Sequence, residues 1–249
     1  MQAGKRPRLV IVMAEREYHT DQTLPAFAKR NLADRFQIRL LFANPEDRDD
    51  IPGLECLADA DLVLLSVRRR VLPTAQMERV RAYIASGRPL VGIRTACHAF
   101  CLRKEEPPAG HDQWPDFDRK ILGCFYHDHY GNKLAATIQV VDGAIHNPIL
   151  SGVRRRTFPA RGSLYRCAPL NSSARLLLVG RVPGQADAEP VAWTNVSPAG
   201  GRVFYTSLGH PGDFQIPEFV QLLRNGIYWA AGLPVPTTTA GTVTVTAGE

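Results

Sequence analysis

Three short runs of this chain carry side chains whose type and placement could do chemistry: Arg94-Thr95-Ala96-Cys97-His98, His127-Asp128-His129 and Gly209-His210-Pro211-Gly212. The first follows directly on the apolar run Leu90-Val91-Gly92-Ile93, which reads as a buried strand entering a tight turn and then a helix. In open α/β sheets such a turn lies at the carboxyl edge, where ligands bind, and its tip is presented to the site. Enzymes that use this elbow to expose a nucleophile carry Ser or Cys there. Here the tip is Arg94. A guanidinium has no deprotonated form to attack with, so it binds anions or forks onto hydroxyl and carboxylate oxygens. Arg94 and Thr95 are therefore candidate binding residues, and the tip side chain should serve a ligand rather than the core.

The histidines are candidates for proton transfer, since an imidazole titrates near neutral pH. His98 sits on the first turn past the tip, either as a site residue or as a helix-start histidine bonded to backbone. His210 ends a strand in a Gly-His-Pro-Gly loop, a setting that packing does not explain. His127 and His129 lie two apart, so on a strand both would face one side and could pinch a divalent metal such as zinc, with Asp128 turned away. The alternative is a histidine-rich loop bonded locally, because no third ligand is fixed by spacing. His98, His127 and His210 are the catalytic candidates, His129 is a binding candidate, and no metal site is assigned. Cys97, three residues past the tip, should point into a helix interface and is structural.

These residues need a scaffold. Residues 8–13 (RLVIVM) form a continuous apolar strand, and the loop 14–20 at its carboxyl end carries Tyr18 and His19. A helical spacing follows over 23–32, a strand over 36–42, a short helix around Leu54, Leu57 and Ala58, and a strand over 61–67 that ends in Arg68-Arg69-Arg70. Pro73 opens a helix carrying Met77, Val80, Tyr83 and Ile84, which Gly87 closes before the elbow strand. Three β-α units in succession imply right-handed crossovers and a mostly parallel sheet covered on both faces. Residues 104–118 (KEEPPAGHDQWPDFD) read as an excursion or lid. Strands follow over 133–141, 175–179, 190–194 and 202–206, then a closing helix with Phe219, Leu222, Leu223 and Ile227. In a parallel sheet the strand-end loops would bring His19, Arg68, Arg94 and His210 to one rim, with the excursion and the 127–129 segment covering it.

One domain over residues 8–233 is expected, with a seven-residue N-terminal extension and a low-complexity tail or linker over 234–249. The 249 residues are 45% hydrophobic and 22% charged, ample for one α/β core. No apolar run approaches the roughly 20 residues of a membrane span, and the basic N-terminus lacks a signal-peptide core. The reading is cytoplasmic with no membrane partner, although a trimmed export signal would leave the same sequence. The net charge of +6 includes the triplets Arg68-Arg69-Arg70 and Arg154-Arg155-Arg156, but no nucleic-acid-binding module surrounds them, so no nucleic-acid partner is expected. Five cysteines without CxxC spacing read as free thiols in a reducing compartment.

The runs GRPLVGIRTA (87–96), LGCFYH (122–127), HNPIL (146–150), Leu164-Tyr165, PVAWT (190–194), GRVFYTSLGH (201–210) and NGIYWAAG (225–232) resemble the ThuA-like, trehalose-utilisation proteins. The resemblance spans most of residues 8–233. It implies a three-layer α/β/α fold of the flavodoxin-like, class I glutamine amidotransferase-like kind, and a role in sugar metabolism on trehalose or a keto-disaccharide. It also adds Tyr165 to the binding candidates. Trp114, in the polar excursion, becomes either a sugar-stacking aromatic or a tryptophan tacked onto the surface. The chain departs from the family pattern at two ligand positions: Arg94 stands where many members have histidine, and Gly162-Ser163 where many have an acidic pair. Two functions remain, a carbohydrate-active enzyme and a non-catalytic sugar-binding or regulatory module, either of which could be a homo-oligomer. Glutaminase activity is not expected, because the elbow lacks cysteine.

Overall fold

Continuous aliphatic runs bounded by turns make the strands, and because both faces of a central strand are buried, alternate residues feed two separate cores. In the computed structural model, which describes residues 6–236, β1 (Arg8–Ala14) sends Leu9, Ile11 and Met13 to one face and Val10, Val12 and Ala14 to the other. Helices α1 (Thr20–Asn31) and α3 (Pro217–Ala230) cover the first face, and α2 (Thr74–Ala85) covers the second. This is the expected α/β/α sandwich. The expected extension over 1–7 and tail over 234–249 fall largely outside the described residues.

The other strands are β2 (Gln37–Phe42), β3 (Leu62–Val67), β4 (Leu90–Ile93), β5 (Ala136–Val140), β6 (Thr157–Ala160), β7 (Arg175–Arg181), β8 (Glu189–Val196) and β9 (Arg202–Thr206). Among the described residues these nine make one sheet in the order β2-β1-β3-β4-β9-β8-β7-β5-β6. The first five are mutually parallel. The remaining neighbours pair antiparallel, so β8 and β5 oppose the other seven strands. The carboxyl ends of β1, β3, β4 and β9 therefore lie along one edge.

Two local readings are corrected. β6 went unrecognised because its sequence TFPA contains Pro159, which cannot donate to a ladder. It survives because β6 is an edge strand. The elbow leads not into a regular helix but into a five-residue 3₁₀ turn, Arg94–His98.

Packing between α3 and β9 depends on Gly226. A Cβ built there would land on the Phe204 ring. Gly226→Ala should lower the melting temperature although alanine is the better helix former, because overpacking costs about 1–3 kcal/mol against a propensity gain of about 1. Thermal unfolding of the variant checks it, and an unchanged or raised melting temperature would mean that helix and strand separate freely.

Candidate functional site

The loop after β1 is held by a carboxylate. Glu15, buried at the start of that loop, accepts from the backbone N–H of Glu17 and Tyr18 (both 2.7 Å), and from the N–H and hydroxyl of Thr20 (2.9 and 2.8 Å). That fixes Tyr18. It also starts α1 at Thr20, three residues before the apolar spacing predicts. His19 caps the helix in the left-handed region (φ 49°), its carbonyl accepting from Gln22 and Thr23. Its side chain is exposed and does not line the cleft described below, which corrects its assignment to the rim.

At the elbow, Arg94 adopts φ 46°, a conformation uncommon outside glycine, and the Tyr205 hydroxyl holds its carbonyl at 2.6 Å. The side chain is only 2% exposed. Its guanidinium donates to the Ser207 carbonyl at 2.9 Å and makes longer contacts, 3.3–3.5 Å, with the hydroxyl and carbonyl of Ser163. Tyr18 and Tyr165 close over it, with Cζ 4.0 and 4.6 Å from their ring centroids, and their hydroxyls meet at 3.4 Å. Arg94 thus forms the floor of the site and is part of the core as well, contrary to the expectation of a side chain serving only a ligand.

Gly162 makes room for it. A Cβ at that position would come within 2.7 Å of Arg94 Nη2 and 2.9 Å of His210 Cβ. Arg94 and Gly162 are therefore one local arrangement, in which the long arginine occupies space that a side chain at 162 would need.

The loop after β9 is organised by Asp213, which is fully buried. Its carboxylate accepts from the N–H of Gly209 (2.9 Å), His210 (3.0 Å) and Arg161 (2.8 Å), tying the His210 loop to the one after β6. His210 Nδ1 accepts from Gly212 N–H at 3.1 Å, so the ring hydrogen sits on Nε2. Burial lowers the His210 pKa; Asp213 opposes this and Arg94 reinforces it. The His98 ring stacks on Tyr126 at 4.4 Å and is 5% exposed. Burial first, then Arg69, Arg68, Arg94 and Arg103, push its pKa well below the usual imidazole value. Both rings are neutral at physiological pH. Tyr126 is itself placed by Asp118, which accepts its N–H at 3.0 Å.

Tyr18, Arg68, Arg94, His98, His129, Tyr165 and His210 converge on one cleft of about 380 Å³. Glu17, Arg103, Tyr126, Asn132 and Arg161 line it too and were missed. The signals for Arg161 and Glu17 were present, since each abuts a segment already singled out. Three further expectations fail. Thr95 is fully buried and does not line the cleft. Trp114 packs on Phe117 and Arg81, beside the short pairing of His111–Asp112 with Leu72–Pro73, so this stretch is fastened to the α2 face and does not cover the cleft. His127 lies in a second cleft of about 540 Å³, beyond the His98–Tyr126 pair, whereas His129 lines the first. The two-residue strand starts at Asp128, so strand alternation does not reach His127 and the pair does not converge on one ion. Among the described residues no group of three or more His, Cys, Asp or Glu is placed to hold a metal.

The ThuA family model, described as trehalose utilisation, matches residues 8–230. Among solved structures, a ThuA-like protein from Bacteroides uniformis superposes with a TM-score of 0.64 at 18% identity, covering 92% of this chain and 94% of its own. One from Parabacteroides merdae gives 0.62 at 15%, covering 95% and 94%. A cytoplasmic protein from Salmonella typhimurium gives 0.57 at 12%, covering 90% and 98%. At these identities the likeness is one of fold. No curated protein matches the sequence. No helix among the described residues is long and apolar enough to cross a membrane.

The shared space of Arg94 and Gly162 makes their substitutions non-additive. Gly162→Ala should cost about 1–3 kcal/mol in the parent. In an Arg94→Ala background it should cost at least about 0.5 kcal/mol less. A denaturant double-mutant cycle measures the difference, and simple additivity would separate the two positions.

Stability should also fall in acid because of His98. Above its ordinary pKa of about 6.5 the ring is neutral in both folded and unfolded chains. Below that value the unfolded chain takes up a proton that the folded chain excludes, so stability present above pH 6.5 is lost as pH falls, at up to about 1.4 kcal/mol per pH unit. Melting temperatures between pH 5 and 8 should drop less steeply for His98→Gln than for the parent, and parallel curves would refute the assignment.

Proposed function

Because the chain belongs to the ThuA, trehalose-utilisation family, we propose that the cleft at the carboxyl edge of its parallel strands binds a sugar of the trehalose or keto-disaccharide type. The observation that carries this reading is the convergence, from separate loops, of rings with polar heads (Tyr18, Tyr126, Tyr165, His129 and His210) on one open cleft. Rings of this kind stack on the C–H faces of a sugar while their heads bond its hydroxyls, and the volume suits one or two sugar units.

Chemistry, where it occurs, falls to the imidazoles. His210, with Nδ1 engaged by Gly212, offers an Nε2–H donor suited to a keto or hydroxyl oxygen. Glycoside hydrolysis of the usual kind needs two carboxyl groups flanking the bond. Among the described residues lining the cleft the one carboxylate is Glu17, which Arg68 holds at 2.7 Å. The set of groups thus favours binding, or proton transfer at a carbonyl, over a carboxylate-pair glycosidase. The non-catalytic module remains the second reading, and the buried, non-nucleophilic tip Arg94 supports it.

A thermal-shift series with trehalose, its keto derivative and simple monosaccharides tests the site. A sugar at about 100 times its Kd should raise the melting temperature by roughly 5–10 °C. His210→Asn, which retains an acceptor for Gly212 N–H but loses the Nε2 donor, should reduce that shift without altering the unliganded protein. No shift with any sugar, neutral or charged, would overturn the reading.

A further inference from the structure

The cleft has an unusual balance of donors and acceptors. Four guanidiniums, those of Arg68, Arg94, Arg103 and Arg161, line it against the single carboxylate of Glu17, a formal surplus of three positive charges. Glu17 is already paired with Arg68, and Arg94 is engaged by Ser207 and Ser163. Arg103 and Arg161 are exposed, and among the described residues neither guanidinium has a salt-bridge or hydrogen-bond partner.

Arg161 is nonetheless held in place. Its N–H is bonded to buried Asp213, and its stem runs across Gly212, where an added Cβ would lie 2.8 Å from Arg161 Cβ and 3.0 Å from Cγ. In addition, the Nε–H groups of Arg68 and Arg94 are buried without an acceptor. Sugar hydroxyls both donate and accept, so a cleft for a neutral sugar needs acceptors as well as donors. Guanidinium only donates, and it matches the oxygens of carboxylate and phosphate in geometry and charge.

We propose that the ligand is an anionic sugar, one bearing a carboxylate or a phosphate, whose charged group is fixed by Arg161 and Arg103. The inference rests on the sugar-binding reading and narrows it to a substrate class.

Calorimetric titration at pH 7.5 with matched ligands tests it: glucose, glucuronate and glucose 6-phosphate, then trehalose and trehalose 6-phosphate, with inorganic phosphate alone. At least one charged sugar should bind about tenfold or more tighter than its neutral parent, the margin of one charge-assisted hydrogen bond. The margin should shrink with added salt. Arg161→Gln and Arg103→Gln replace exposed, unpaired side chains, so they should leave the melting temperature unchanged and reduce the margin several-fold each. Which of the carboxylate and phosphate arms binds tighter identifies the group. A neutral parent that binds as tightly as its charged derivatives overturns the inference and leaves the sugar reading intact. Inorganic phosphate binding as tightly as the sugar phosphates keeps the anion site and removes the sugar. A margin undiminished in both variants overturns the assignment to these arginines, and no binding by any ligand overturns inference and reading together.

Discussion

A buried guanidinium organises this molecule's functional edge. Taking a charge out of water is costly unless it is surrounded by acceptors and polarisable groups. Arg94, on the elbow after β4, obtains these from three other loops: Tyr18 after β1, Ser163 and Tyr165 after β6, and Ser207 after β9. The requirement to satisfy one cation thus ties the elbow to segments up to 113 residues away in sequence. The floor of the cleft is set before any ligand arrives, so its polar groups are preorganised.

Two carboxylates complete the frame without entering the site. Glu15 gathers the N–H groups of the first loop, and Asp213 gathers those of the last and of Arg161. Both spend their negative charge on backbone donors, which satisfies buried N–H groups and leaves the cleft's positive potential largely uncompensated. Burial is the larger cause that keeps His98 and His210 neutral, and at His98 four nearby arginines add to it. A site built this way has imidazoles that act as uncharged partners and guanidiniums that act as fixed charges.

Arg94 at the tip and Gly162 look unrelated along the chain. In space they touch, since a Cβ at 162 would overlap the guanidinium. A long, permanently charged side chain here requires an empty neighbour.

The sequence by itself determined the parallel strands, their edge and the elbow. Continuous aliphatic runs have one stable place, inside a sheet covered on both faces, and the edge rule then assigns Tyr18, His19, Arg68, Arg94 and His210 to one side, all but His19 lining the cleft. It could not determine which way irregular segments turn. Trp114 and the 104–118 excursion follow the α2 face because Phe117 and Arg81 offer them a surface there. His127 and His129 part because a two-residue strand begins between them. β6 was hidden by a proline that only an edge position tolerates. Tyr126 and Arg161 join the cleft through loops whose paths depend on Asp118 and Asp213. Periodicity records which face of a regular element is buried. It carries no information about loop paths, or about a charge that becomes buried only when three other loops close over it.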